Sequence, residues 1–426
     1  MYRSIETECV QAGYSPANGE PRVLPIIQST TFAYDTPEEM GELFDLKKEG
    51  FFYTRLSNPT SDGLERKITA LEGGSGAMAV SSGMSATTIA ILTLAGAGDN
   101  FISVSTIYGG TYNLFNITLR RLGIDCRFVS NDSSEEDIEK LIDDKTRAIF
   151  IETIANPAGV VADFEKFSAI AGRYGIVLIA DNTIATPVLC RPVELGANVV
   201  VHSSTKYLDG HATSVGGLIV DGGNFEYAGN PRYPLFNEPD NSYHGLVFAS
   251  VGAAAFITRA RTEINRDIGA VMAPQNAFLT NLGIETLHLR MPKHSSNALA
   301  LAKSIAVHPA VEWVKYASLE GDADHTRALK YLRAGQAAGM VSFGIKGGRE
   351  GAAKFQKALK LFRIVTHIAD ARSCVLHPAS TTHRQLSDDD LAAAGVPVNL
   401  IRLSVGIEGE EDILADVTEA LDASLR

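Results

Sequence analysis

Three polar segments of this sequence contain side chains that could perform catalysis, and each directly follows a short apolar run. They are Asn156-Pro157, Asp181-Asn182-Thr183 and Ser203-Ser204-Thr205-Lys206. Apolar runs of this kind are typical of parallel strands buried on both faces of a sheet. Ligands of such sheets bind outside the carboxyl ends of the strands, so we expect these polar side chains to share one crevice.

A fourth segment, Ser81-Ser82-Gly83-Met84, lies between a predicted strand at 77–80 and the start of a predicted helix. Small residues there let backbone N–H groups approach an anion, and the positive end of the helix dipole favours the bound charge. This segment therefore predicts a phosphate site.

The combined set suits pyridoxal phosphate chemistry. A lysine forms the Schiff base, a carboxylate keeps the pyridine nitrogen protonated, and hydroxyl and amide groups hold the phosphate. We assign the Schiff base to Lys206 and the pyridinium contact to Asp181. Each residue alone is weak evidence, and the joint placement at successive strand ends carries the assignment.

Other classes of protein fit these segments less well. Ser203-Ser204-Thr205-Lys206 also matches the Ser-x-x-Lys motif of penicillin-interacting acyl hydrolases, with Ser203 as nucleophile, but the companion Ser-Asp-Asn and Lys-Thr-Gly motifs are absent. Residues 74–79 match a loose dinucleotide fingerprint, yet they follow a predicted helix and precede a strand, the reverse of the required order. A non-catalytic protein of this fold is disfavoured by the combination of lysine, acid and arginine.

Composition narrows the choice of partners. The 426 residues include 38 basic and 50 acidic side chains, a net charge of −12, without a basic run that would indicate nucleic acid or an anionic membrane as a ligand. No apolar stretch approaches the ~18 residues of a membrane span. The first residues do not resemble a secretory signal, and the four scattered cysteines predict neither a zinc site nor disulfides. We expect a cytoplasmic protein that binds no metal.

The order of predicted elements indicates an α/β fold with a mostly parallel, doubly wound sheet and a smaller C-terminal α+β domain. We divide the chain into an N-terminal arm (1–59), a cofactor-binding domain (60–255, with an insertion at about 222–247) and a C-terminal domain (256–426). The arm shows no helical period, and we expect it to contact a neighbouring subunit. Strands are predicted at 100–104, 125–129, 148–152, 177–180, 199–202, 340–345 and 400–405, and long helices at 249–268 and 296–307.

The chain resembles the Cys/Met-metabolism family of pyridoxal-phosphate enzymes along essentially its whole length. The matching motifs are Tyr53-Thr54-Arg55-x-x-Asn58-Pro59-Thr60, Ser81-Ser82-Gly83-Met84, Tyr108-Gly109-Gly110-Thr111, Asn156-Pro157, Asp181-Asn182-Thr183, Ser203-x-Thr205-Lys206-Tyr207, His377-Pro378-Ala379-Ser380 and Arg402-Leu403-Ser404-Val405-Gly406. The resemblance implies pyridoxal-phosphate fold type I, as in aspartate aminotransferase. It also implies small-molecule substrates and a homotetramer of two catalytic dimers.

The resemblance further implies a role for individual residues. The catalytic group is Lys206, Tyr108 and Asp181, with the Tyr108 ring stacked on the cofactor. The residues implied to bind the cofactor are Tyr53, Arg55, Ser82, Gly83, Met84, Tyr108, Asn156, Asp181, Thr183, Ser203, Thr205 and Lys206, with Tyr53 and Arg55 reaching over from a neighbouring subunit. The residues implied to bind the substrate are Arg402, which takes its carboxylate, with Tyr53, Asn156 and Ser373.

Within the family, several segments are similar to the O-acetylhomoserine sulfhydrylases. They are 107–115, 231–248, 274–279 and 283–287. Methionine γ-lyases carry a cysteine where this chain has Gly110, which argues against that reaction. The resemblance thus implies γ-replacement on an O-acylhomoserine by sulfide or a small thiol. The sulfhydrylase-like segments favour the O-acetyl ester as the substrate. A cystathionine γ-synthase or γ-lyase type of reaction and a methionine γ-lyase reaction remain the alternatives.

One segment departs from the sulfhydrylase pattern. The usual Asn-x-Gly-Asp-Ala before the His-Pro-Ala-Ser motif is replaced by His367-Ile368-Ala369-Asp370-Ala371. This loop lies near the substrate in the family. The chain thus has an imidazole in place of an amide and a Cβ in place of glycine. Two interpretations stay open: the changes alter which acyl group or sulfur donor is accepted, or they lie behind the pocket and are tolerated.

Overall fold

A computed structural model describes residues 4–382, 384–385, 387–388 and 396–426. Its larger sheet contains β1 (Gly76–Val80), β2 (Asn100–Val104), β3 (Asp125–Val129), β4 (Thr146–Glu152), β5 (Val177–Asp181), β6 (Val199–His202) and β7 (Gly217–Asp221). The spatial order is β1-β7-β6-β5-β4-β2-β3. Strand β7 is antiparallel to both of its neighbours, and the other adjacent pairs are parallel. The predicted α/β class with a mostly parallel sheet is confirmed.

Helices connect the parallel strands, as the crossover geometry of parallel pairs requires. The α-helices in the first part of the chain are Ile5–Gln11, Pro37–Phe44, Pro59–Glu72, Gly83–Leu94, Gly109–Asn113, Glu135–Glu139, Phe164–Tyr174, Thr186–Leu189 and Pro234–Asn237. Residues Leu114–Leu119 continue one of them with a wider turn, and Pro192–Leu195 and Asn241–Tyr243 form tighter 3-10 turns. Strands β2 and β4 are buried along their whole length, which explains their continuous apolar sequence.

The second sheet contains β8 (Val311–Lys315), β9 (Met340–Ile345), β10 (Arg363–Ile364), β11 (Cys374–Leu376) and β12 (Leu400–Ser404). Their order is β10-β11-β12-β9-β8, antiparallel except for the β10–β11 pair. The accompanying helices are Pro274–Glu285, Leu287–Ala306, His325–Tyr331, Gly348–Ala358 and Glu410–Ser424, with 3-10 turns at Arg333–Gly335 and Pro378–Ser380. Buried side chains of both sheets, such as Phe150 and Phe343, belong to one continuous core.

The N-terminal segment differs from the prediction of a stretch without helices. The helix Ile5–Gln11 begins at Ser4, whose hydroxyl caps the Thr7 amide, and the helix Pro37–Phe44 begins at a capping threonine. These caps and the acidic first turns are the signals that a search for apolar periodicity overlooks. Cys9 in the first helix is fully buried, so this end of the chain is packed on its own subunit.

The prediction of one continuous helix at 249–268 is wrong. The structure has 3-10 turns at Phe248–Ala254, a helix at Ala255–Arg259, wider turns at Ala260–Asn265 and a last helical turn at Arg266–Ile268. Gly252, with φ 64° and ψ −130°, interrupts the first part. Only glycine adopts this conformation without strain, so the backbone changes direction there.

The segment 222–247 is packed onto the larger sheet through its aromatic residues. The Tyr233 hydroxyl donates to the Arg147 carbonyl at 2.5 Å and accepts from the Val177 amide at 2.9 Å. Tyr227 and Phe236 are buried and stack with ring centroids 4.1 Å apart. Within the described ranges, every helix is too short or too polar to cross a lipid bilayer.

Candidate active site

Lys206 lies in the turn that follows β6, at the carboxyl end of the larger sheet. Its backbone amide bonds to the Ser203 carbonyl, and its side chain reaches the loop between β10 and β11 of the second sheet. We call the region around this side chain, where the two sheets meet, the crevice. Burial, followed by the nearby charge of Arg402, lowers the pKa of the Lys206 amine to about 8. An amine with this pKa exchanges protons readily near neutral pH, as proton transfer to and from carbon requires.

Asp181 is the last residue of β5, on the strand next to β6. Its carboxylate accepts the Thr183 amide at 2.9 Å, and the Thr183 hydroxyl in turn accepts the Ser203 amide at 2.8 Å. Burial raises the pKa of the Asp181 carboxyl, and its hydrogen bonds with Thr183 oppose that shift. A cation placed beside this carboxylate would hold it ionised, since opposite charges favour each other's charged form.

At the predicted phosphate site, two backbone segments approach each other closely. Ser82 caps the helix Gly83–Leu94, its hydroxyl accepting the Ser85 amide at 3.1 Å. A Cβ added to Gly83 would lie 2.5 Å from the Ser203 Cβ, so only glycine allows this contact. The Thr205 hydroxyl bonds to both the amide and the carbonyl of Gly216 at 3.1 Å, which fixes the turn that carries Lys206.

Sequence reasoning missed Glu152, the last residue of β4. Its two carboxylate oxygens accept the backbone amides of Tyr108 at 2.7 Å and of Asn156 at 3.2 Å. It is buried, and burial together with the Asp181 charge raises the pKa of its carboxyl well above the usual range. Glu152 could have been recognised from its position at the end of a predicted strand, because the same position drew attention to Asp181.

Arg402 connects the two sheets at the site. It lies on β12, is only 8% exposed, and donates from Nη1 to the Asn156 Oδ1 at 3.2 Å. A second contact runs from Nη2 to the His367 carbonyl at 3.5 Å. Burial lowers the pKa of this guanidinium, which nevertheless remains a cation at neutral pH and suits a carboxylate partner.

Three other residues predicted from the sequence to belong to the site, Ser373, Tyr53 and Arg55, make the following contacts. The Ser373 hydroxyl, buried behind the crevice, donates to the Glu408 carboxylate and accepts the Gly406 amide. The Arg55 guanidinium donates to the Arg266 carbonyl and lies 5.3 Å from the centroid of the Tyr53 ring.

Tyr53 and Arg55 line a separate surface cavity of about 480 Å³, and Tyr53 is 40% exposed. Among the described residues, neither forms a hydrogen bond with Lys206. Whether they complete the crevice of a neighbouring subunit therefore stays a prediction.

The crevice offers what pyridoxal phosphate needs. An amine, a carboxylate on the adjacent strand and a tight helix N-terminus beside serine hydroxyls match the aldehyde, the ring nitrogen and the phosphate of that molecule. Within the described ranges, no cluster of three or more His, Cys, Asp or Glu side chains could hold a metal ion. All four cysteines are buried and unpaired.

Comparison with known proteins agrees with this arrangement. The sequence profile of the family described as "Cys/Met metabolism PLP-dependent enzyme" matches residues 6–422. A homocysteine synthase of Schizosaccharomyces pombe is 45% identical over 424 residues, covering 99% of this chain and 98% of that protein. An O-acetyl-L-homoserine sulfhydrylase of Leptospira meyeri is 43% identical over 426 residues, covering 98% and 96%.

A similar solved structure is that of a candidate O-acetylhomoserine (thiol)-lyase from Campylobacter jejuni. It has a TM-score of 0.95 and 39% sequence identity, and the match covers 98% of this chain and 99% of that chain. That structure contains N'-pyridoxyl-lysine-5'-monophosphate at position 205 of its own sequence.

Proposed function

The chain belongs to the Cys/Met metabolism family of pyridoxal-phosphate-dependent enzymes, and from that premise we propose that it catalyses γ-replacement on O-acetyl-L-homoserine. Sulfide or a small thiol is the nucleophile, and the products are homocysteine, or methionine, and acetate. The observation that carries this proposal is the 43–45% identity, over nearly full length, to relatives named homocysteine synthase and O-acetyl-L-homoserine sulfhydrylase.

Pyridoxal phosphate, when bound, supplies a conjugated cation that draws electron density away from the α-carbon of the substrate. Lys206 is the residue that carries the cofactor covalently and then moves protons at the substrate carbons. Its pKa of about 8 leaves a useful fraction of the amine unprotonated at neutral pH. Asp181 provides the negative charge that holds the pyridine nitrogen protonated.

Other side chains orient the reactants. We assign the phosphate to Ser82, Gly83, Met84, Ser203 and Thr205. The Arg402 guanidinium holds the α-carboxylate of the substrate by paired hydrogen bonds, a geometry for which arginine is suited. Its position depends on the Asn156 amide, which it already contacts.

Tyr108 is half exposed, and its backbone amide is bonded to Glu152 at the end of β4, so we assign its ring to cover the cofactor. Glu152 holds the backbone of both Tyr108 and Asn156, so it fixes two groups that touch the ligand without touching it itself. Excluding water from the reacting atoms strengthens each of these electrostatic contacts.

The test is incubation of the purified, cofactor-loaded protein with O-acetyl-L-homoserine, with and without sulfide, followed by mass spectrometry. Homocysteine that forms only with sulfide supports the proposal. Predominant 2-oxobutyrate, or no reaction with this ester, contradicts it and indicates a γ-lyase or another acyl substrate. The Lys206→Ala variant is the matched control. It should lose turnover and the absorbance of the lysine-bound cofactor, and a variant that keeps both would contradict the role of Lys206.

We also propose a cytoplasmic homotetramer of two catalytic dimers. The exposed Tyr53 and the cavity that it shares with Arg55 support a contact with a second subunit, because large exposed apolar surfaces commonly mark interfaces. Light scattering of the purified protein measures the subunit count. A monodisperse monomer that is fully active would contradict this part of the proposal.

A further inference from the structure

His367 contacts two of the functional side chains at once. Its Nδ1 lies 3.3 Å from the Lys206 Nζ, and its backbone carbonyl lies 3.5 Å from the Arg402 Nη2. The residue belongs to the loop between β10 and β11, so it approaches Lys206 from the second sheet. It therefore lies between the group that moves protons and the group assigned to the substrate carboxylate.

The loop that carries His367 is held in place on two sides. The Ala369 amide donates to the Ser404 hydroxyl at 2.7 Å, and the Ala371 amide donates to the Gly210 carbonyl at 2.9 Å, four residues beyond Lys206. Ala369 has a φ of 67°, a left-handed conformation that residues other than Gly, Asn and Asp rarely adopt. Backbone in this conformation persists only where surrounding contacts require it, so the imidazole is presented by a fixed loop.

The roles of the two nitrogen atoms follow from the partner. A protonated lysine amine is only a donor, so Nδ1 is the acceptor, the imidazole is neutral and its proton is on Nε2. Burial and the adjacent Lys206 charge lower the pKa of His367 to about 4, which agrees with a neutral ring. The charged and titratable groups around the ring are Lys206, Asp370, Asp209, Arg402 and Cys374.

We propose that His367 is a positioning residue for Lys206: its neutral imidazole holds the protonated amine in place between removal of a proton from the substrate and its return. This inference rests on the proposed function. In the step concerned, a C–H bond of the substrate breaks, its electron pair stays with the substrate, and an N–H bond forms on Lys206. His367 accepts a hydrogen bond throughout and neither gains nor loses a proton.

Each variant of His367 is chosen for the group that it places where Nδ1 lies in the wild-type protein. The amide oxygen of His367→Asn is two bonds from Cβ, as Nδ1 is, and can accept from the amine. His367→Phe keeps a ring of similar size without an acceptor, and His367→Leu is a second acceptor-free variant if the first does not fold. His308→Phe changes a histidine bonded to Asp422 and the Ala310 amide, outside the crevice, and serves as the control.

The experiment measures exchange of the α-proton of L-norvaline in D₂O by NMR, using cofactor-loaded protein over a range of pH. L-Norvaline lacks a leaving group, so the readout reports proton transfer without turnover. We expect His367→Phe to exchange about tenfold more slowly, the loss expected for one hydrogen bond to a charged group. Its acidic limb should move to lower pH by about one unit because the ammonium loses an acceptor. His367→Asn should recover most of the rate.

The outcomes separate this inference from the function on which it rests. Wild-type rate and pH profile in both acceptor-free variants would overturn the positioning role while homocysteine synthesis still stands. Equal losses in His367→Asn and His367→Phe would also overturn it, since the acceptor would then be irrelevant. A loaded wild-type protein that exchanges no α-proton would contradict both the inference and the assignment of Lys206.

Discussion

Glu152 and Asp181 are register partners at the ends of β4 and β5, so that two carboxyl side chains project from neighbouring parallel strands at the same level. Each has a raised pKa, and the Asp181 charge is the second cause of the shift at Glu152, after burial. Two carboxylates this close are tolerated because they have different partners. Both carboxylate oxygens of Glu152 are bonded to backbone amides, whereas Asp181 is bonded to Thr183 and is partly exposed, so a cationic ring placed beside it can neutralise it.

The first prediction concerns Glu152. In Glu152→Gln, one oxygen that accepts a backbone amide becomes an NH₂ group, so two donors face each other. We expect kcat/KM to fall by about tenfold to a hundredfold, from the loss of one buried hydrogen bond and the misplacement of Tyr108 or Asn156. Steady-state kinetics with O-acetyl-L-homoserine and sulfide measure this. The exposed Glu136→Gln is the control, and an unchanged kcat/KM in Glu152→Gln would show that the carboxylate is dispensable.

The second prediction concerns Gly83. The new Cβ of Gly83→Ala would lie within 3.0 Å of three atoms of Ser203, including a backbone carbon that cannot move aside freely. We expect the dissociation constant for pyridoxal phosphate to rise about tenfold or more, a cost of more than about 1.4 kcal/mol. Cofactor absorbance after dialysis against a series of concentrations measures it.

The matched control for Gly83 is Gly172→Ala, in the interior of the helix Phe164–Tyr174, where an added Cβ meets no atom within 4 Å. This change should leave cofactor binding intact and stabilise the helix by about 0.5–1 kcal/mol, since alanine loses less backbone entropy than glycine. Equal retention of the cofactor by both variants would count against the phosphate site.

The third prediction is a pH dependence of stability that comes from His294. This ring is completely buried, packs edge-on against the Tyr207 ring and donates from Nδ1 to the Val405 carbonyl at 2.7 Å. Burial lowers its pKa to about 4, below the ordinary value of 6.5. The unfolded chain therefore binds a proton that the folded chain does not between these two values. Stability falls as the pH drops through this window, by about 2 kcal/mol between pH 7.5 and pH 5.

The His294→Asn variant isolates that contribution. Its amide nitrogen can replace the Nδ1 donor to Val405, but it does not titrate. Urea unfolding at the two pH values should show a loss of stability in the variant that is smaller by about 2 kcal/mol than in the wild type. The same loss in both proteins would show that other groups cause the acid sensitivity.

The fourth prediction tests the shared site. Arg55→Ala and Lys206→Ala should each be inactive alone, the first through weak retention of the cofactor. If Arg55 serves the neighbouring subunit, a mixed dimer contains one site with both native residues out of two. Since about half of the dimers in an equal mixture are mixed, activity should return to about a quarter of the wild-type value. Refolding the two variants together and assaying the mixture measures this. A mixture that regains no activity contradicts the contribution in trans.

Much of the larger sheet could be predicted because its strands are buried on both faces. The strands at Asn100–Val104, Asp125–Val129 and Val199–His202 have the predicted boundaries, as does Met340–Ile345 in the second sheet. Strand β7 was missed. It follows a glycine-containing segment and itself begins with Gly217, which is required by close contact with the Ser82 carbonyl rather than by a strand pattern.

Residues of the candidate site that directly follow a strand could be predicted from the sequence. Contacts between segments that are distant in the sequence could not. The placement of Lys206 and Asp181 at the ends of neighbouring strands was predicted from sequence position alone. The approach of His367 to Lys206 joins residues 161 positions apart on different sheets, and no local pattern encodes such a distance. The sequence showed that His367 departs from the family, but only the structure shows which group it contacts.

The hydrogen bond between Asn156 and Arg402 has a consequence for how the protein responds to its own reactant. Asn156 follows a strand of one sheet and Arg402 lies within the other, so on the proposed assignment a substrate bound by both would connect the two sheets. Binding energy then adds directly to the free energy of unfolding, about 2.7 kcal/mol at a ligand concentration one hundred times Kd. Saturation with the proposed substrate should therefore protect the folded chain against unfolding.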